Sequence, residues 1–122
     1  MSVLSNYKVK FGVKIFFNTE FEFISSINES LSAFIGTFRD SNSVNQLFDS
    51  ADKALSYPDL NSNTTYPAQS MMLAVIKKST TTIYDEVDKY ENPNYTADFE
   101  LPTSDFKVIV EAWRDYLKSR GK

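Results

Sequence analysis

The sequence contains no histidine and no cysteine, and only three of its 122 residues are glycine. Each absence removes a class of chemistry. Without histidine, the commonest general base and the commonest metal ligand are missing. Ser–His and Cys–His nucleophile systems cannot be assembled. Without cysteine there is no disulfide framework and no thiolate metal site, in keeping with a reducing compartment. Gly12, Gly36 and Gly121 are too scattered for a glycine-rich phosphate loop or a dinucleotide fingerprint. No apolar run reaches the ~18 residues that a membrane helix needs. The opening MSVLSNYKVK lacks the apolar stretch of a signal peptide. The expectation is a soluble, cytoplasmic protein that uses no cofactor and no metal and meets no membrane.

Carboxylates are the one catalytic resource left. Pairs of them can hydrolyse glycosides or hold Mg²⁺ or Ca²⁺. Asp85, Glu86 and Asp88 are the only acids close enough in sequence to consider. They lack the ligand spacing and glycine of a calcium loop. On a strand, Asp85 and Glu86 would also point to opposite faces. The chain is therefore read as non-enzymatic, with a small carboxylate hydrolase as a third-ranked alternative.

What is present is core material. Hydrophobic residues make up 42% of the chain and aromatics 15%, enough for a single domain over 1–122. "YKVKFGVKIFF" alternates, with Val9, Phe11, Val13, Ile15 and Phe17 on one face and Lys8, Lys10 and Lys14 on the other. That pattern predicts a half-buried strand with a solvated lysine face. Thr19 with Glu22 has the form of a capping box. Ile24, Ile27, Leu31, Phe34, Ile35 and Phe38 follow at helical spacing, predicting a helix over about 20–38. Because Phe21 and Phe23 alternate, a hairpin at Asn18-Thr19 is the competing reading. Ser43 with Gln46 predicts the start of a second helix, with Val44, Leu47, Phe48, Ala51 and Leu55 inward.

Residues 57–67 read as a polar loop bounded by prolines. "SMMLAVIKK" reads as a central strand, "TIYDEVDKY" as the next strand and "TADFEL" as a short one. Pro102 ends it, and Thr103 caps a final helix with Phe106, Ile109, Val110, Trp113, Tyr116 and Leu117 in one apolar stripe. The order β-α-α-β-β-β-α predicts an α+β fold, with a mostly antiparallel sheet of about four strands and three helices.

The stretch "ADFELPTSDFKVIVEAWRDYLKS" resembles a C-terminal pattern of small bacterial immunity proteins from contact-dependent growth inhibition and related polymorphic toxin systems. The residues that carry the resemblance are Phe99, Leu101, Pro102, Thr103, Asp105, Phe106, Ile109 and Trp113. It implies a protein that binds one cognate toxin domain, often a nuclease, and blocks it. These residues look structural, so the resemblance assigns no binding residue.

Charge adds an independent pointer. Residues 80–105 hold seven acids and one base, whereas residues 1–19 hold three lysines and no acid. The acidic segment would repel nucleic acid and attract a basic protein. Interleaved tyrosines would supply rigid contact area. The expected partner-binding residues are Tyr84, Asp85, Glu86, Asp88, Tyr90, Glu91, Tyr95 and Asp98. The other reading of the same cluster is a solvated face. Immunity by direct inhibition of a toxin leads, and a non-enzymatic adaptor or regulatory module for another bacterial protein is the alternative.

Overall fold

Phe17 and Asn18 both adopt left-handed backbone angles, with φ of 50° and 62°. Positive φ at both central residues is the geometry of a two-residue hairpin turn, and Asn tolerates it well. The computed structural model, which describes residues 2–56, 64–68 and 71–122, accordingly joins β1 (Lys10–Phe16) to β2 (Thr19–Ser25) at this turn. The register pairs Phe16 with Thr19, Val13 with Glu22 and Phe11 with Ile24. The competing hairpin, with its turn at Phe17-Asn18 rather than Asn18-Thr19, thus displaces the helix expected over 20–38. Thr19 and Glu22 belong to β2 and form no capping box. The helix, α2, covers only Glu29–Gly36, and the Asn28 side chain caps it by accepting the Leu31 N–H at 3.0 Å. Ile24 is buried from β2, and Ile27 is exposed in the connection. A one-turn helix, α1 (Val3–Asn6), precedes the hairpin and was not expected.

α3 spans Ser41–Ser56 and buries Val44, Leu47 and Ala51. Its first turn is capped by Asp40, whose Oδ1 accepts the Ser43 N–H at 2.8 Å. Ser43, the expected start, sits inside the helix and donates its hydroxyl to the Asp40 carbonyl.

The second sheet holds four antiparallel strands in chain order: β3 (Thr64–Pro67), β4 (Leu73–Ile76), β5 (Thr80–Tyr84) and β6 (Phe99–Pro102). β4 is buried along its whole length, as its unbroken apolar run implies. β3 replaces the end of the loop expected over 57–67; the remainder of that loop lies outside the described residues. Pro67 is tolerated there because β3 is an edge strand. β5 stops at Tyr84, and its expected continuation is instead a one-turn helix, α4 (Val87–Glu91).

α5 (Thr103–Ser119) buries Phe106, Ile109, Val110, Trp113 and Leu117 and packs along α3. Thr103 does not cap it, because no side-chain cap bond forms and its hydroxyl is used elsewhere. That hydroxyl donates to the Lys77 carbonyl at the β4–β5 turn and accepts from Thr81 Oγ1 at 2.9 Å. Trp113 sits at the centre of the core, with Nε1 donating to the Phe38 carbonyl at 2.8 Å. Phe11 lies over Trp113 and Tyr116, with ring centroids 5.8 and 5.3 Å away, and so anchors the hairpin. The fold is α+β, but with two sheets and five helices among the described residues rather than one sheet and three helices.

Candidate functional site

The acidic segment is organised by a single cation. Lys89 Nζ, on α4, lies 2.8 Å from Asp85 Oδ1 and 3.1 Å from Asp98 Oδ1. Asp98 Oδ2 accepts the Asp85 backbone N–H at 2.7 Å. Asp85 Oδ1 is shielded from solvent and has no aligned hydrogen-bond donor, so its contact with Lys89 is an ion pair. The two carboxylates hold the Lys89 ammonium well above the usual lysine range. Partial burial pushes the Asp98 carboxyl up, but the Asp85 N–H and the Lys89 ammonium outweigh it and hold the group below the usual range. A backbone bond adds a second tie, from the Val87 N–H to the Met71 carbonyl at 2.9 Å. The sequence alone suggests a strand that spreads charge over two faces. Tertiary contacts build a clamped ridge instead.

The clamp separates the eight expected residues into two groups. Asp85 and Asp98 are half-buried and spent on Lys89. Tyr84 is half-buried at the end of β5, its ring edge-on to Tyr90 at 5.5 Å. Glu86, Asp88, Tyr90, Glu91 and Tyr95 are exposed, and among the described residues none of the three acids has an ion-pair partner. Tyr95 is carried on a turn whose Asn92 carbonyl accepts the Tyr95 N–H at 3.1 Å. Beside α4 lies an open depression of about 370 Å³ lined by Met71, Asp85, Glu86, Val87 and Asp88. Among the described residues, no three acids come together closely enough to hold a metal ion. The arrangement can present negative charge and tyrosine edges to a partner. Of the remaining acids, Glu100 is exposed on β6, whereas Asp105 accepts the Tyr7 hydroxyl at 2.8 Å.

Sequence reasoning missed a second surface. Ile15, Phe16 and Phe17 are 72, 63 and 88% exposed, and Val13 and Phe21 are also open to solvent. The strand expected to bury Val13, Ile15 and Phe17 packs on the core at its inner half, through Val9 and Phe11. Three successive apolar residues at 15–17 break the alternation, and that break was the available signal. At the base of this arm, Glu22 is nearly buried yet ionised. Burial raises its carboxyl, while its own backbone N–H, Arg120 (Nε 3.2 Å away) and Lys122 lower it further.

Comparison of the chain with protein-family models, with curated proteins and with solved structures gives no significant match. Among the described residues, no helix is long and apolar enough to cross a membrane.

Proposed function

We propose that the chain is an immunity protein that binds a cognate bacterial toxin domain in the cytoplasm and neutralises it by direct contact. The observation that supports this best is the Asp85–Lys89–Asp98 clamp. It fixes α4 as a ridge and leaves Glu86, Asp88 and Glu91, which have no ion-pair partner among the described residues, beside the exposed Tyr90 and Tyr95. A nuclease cleft must attract phosphate and is therefore basic. A fixed row of carboxylates can occupy the positions where phosphates would lie, and the summed field speeds encounter. Tyrosines among the acids supply short-range contact area. The C-terminal resemblance noted above points the same way. The exposed hairpin is the feature that favours the adaptor reading instead, since a module with two separate surfaces can join two partners.

The test is co-purification with the product of the adjacent reading frame, followed by association kinetics. Replacing Glu86, Asp88 and Glu91 with Lys should leave the fold intact and slow association with a basic toxin domain by about tenfold or more. Salt should slow the wild-type protein in the same direction, because the Debye length falls from ~10 Å at 0.1 M to ~3 Å at 1 M. Wild-type rate and affinity in the triple variant would move the binding surface elsewhere.

A further inference from the structure

We propose that the β1–β2 hairpin is a membrane-docking arm, whose tip inserts into the headgroup region of an anionic lipid surface. The proposal concerns a different surface from the acidic ridge and departs from the expectation that the chain meets no membrane. Ile15, Phe16 and Phe17 are the one run of three consecutive exposed large apolar residues among the described residues. The register decides what can cover them. Ile15 pairs with Glu20 and Phe16 with Thr19, so adjacent residues Ile15 and Phe16 point to opposite faces of the hairpin. Phe17 occupies the turn itself, its ring edge-on to Phe16 at 4.6 Å. A flat protein surface would cover one face and leave the other wet. A lipid interface surrounds the tip and covers both.

The charges are placed to match. Lys14 lies two residues behind Phe16, a setback of about 7 Å at ~3.4 Å per strand residue. That is the depth at which a lysine can reach phosphates while the tip sits at the inner edge of the headgroup region. Lys14 Nζ lies 4.8 Å from the Phe23 ring centroid, and Arg39 lies 5.8 Å from that of Phe21. Neither cation has a carboxylate partner among the described residues. The nearby acids Glu20 and Glu22 are matched by Arg120 and Lys122. Lys8 and Lys10 add positive charge further back along the arm. Apolar tip and cationic collar together call for an anionic lipid surface rather than a neutral one.

The experiment is flotation of the full chain with vesicles of about 3:1 phosphatidylcholine to phosphatidylglycerol, beside vesicles of phosphatidylcholine alone. The wild-type protein should float with the anionic vesicles and far less with the neutral ones. Phe16→Ser with Phe17→Asn should weaken that partition by about tenfold or more. Lys14→Glu with Arg39→Glu should abolish the preference for anionic lipid. Val108→Ser, at an exposed apolar residue on α5, should change nothing. Should the double aromatic variant not fold, Phe17→Asn alone carries the test, because Phe17 is almost fully exposed and Asn suits the left-handed turn. Failure of the wild-type protein to float, equal partition onto neutral vesicles, or unchanged partition of the aromatic variants would each overturn the proposal. So would sedimentation showing a dimer that Phe17→Asn splits, since a second copy would then cover the tip.

Discussion

Tyr7 illustrates how far a single contact reaches at the residue scale. Partial burial, then its hydrogen bond to Asp105, pushes the phenol up from 10 to about 12. The folded state therefore holds this proton more tightly than the unfolded chain does. The stabilisation is complete below pH 10 and disappears as pH rises through about 12. Tyr7→Phe should cost about 1 kcal/mol at neutral pH and should flatten the alkaline loss of stability, as read by urea denaturation across that range. Asp98 runs in the opposite sense. Its carboxyl is more acidic in the fold than in the unfolded chain, so its contribution is in place above the ordinary value of 3.8 and fades as pH falls through the lower folded value. Asp98→Asn should remove that acid dependence and loosen α4, measurable as faster amide exchange at Asp85. Trp113→Ala should destabilise by about 3–5 kcal/mol, the range for a fully buried aromatic. Trp113→Phe should still cost about 1–3 kcal/mol, since it leaves the Phe38 carbonyl without its donor.

At the scale of elements, the starts of α2 and α3 depend on side chains that sit one position outside the helix. Asn28→Ala and Asp40→Ala should each lower stability by about 1 kcal/mol, without loss of fold. α5, β4 and the body of α3 were legible in the sequence because each has one clear periodicity and a partner face to bury. The hairpin was ambiguous because Phe21 and Phe23 fit a strand at period two, while Ile24 and Leu31 fit a helical stripe. The turn at Phe17-Asn18 settles the matter, and its backbone angles are not written in apolar pattern. α4 was illegible for another reason. It is held by Met71 and Asp98, neither of them adjacent in sequence, and their positions follow from the β4–β5 and β5–β6 registers. The same limit applies to the site. Its charge excess could be read directly, but not that Lys89 consumes two of the carboxylates.

For the molecule as a whole, the two surfaces should be separable. Glu86→Lys, Asp88→Lys and Glu91→Lys together should leave vesicle flotation unchanged or raised, because the change removes negative charge and adds positive charge. Phe16→Ser with Phe17→Asn should leave toxin binding intact. Coupled loss of both activities in either variant would mean that the surfaces form one interface.

The strand order follows the chain without a crossover: Phe16 meets Thr19, Pro67 meets Leu73, Ile76 meets Thr81 and Ile83 meets Phe99. Each closure links near neighbours in sequence, which keeps the entropy of loop formation small and favours rapid refolding. Beyond the packing of α5 on α3, side-chain ties between distant parts of the chain include Tyr7 to Asp105 and Arg120 to Glu20 and Glu22. Those ties are expected to form after the rate-limiting step. Tyr7→Phe and Glu20→Gln should therefore leave the folding arm of a stopped-flow chevron in place and accelerate only the unfolding arm. These side-chain ties would then act as latches, setting how long the native state lasts rather than how quickly it is reached.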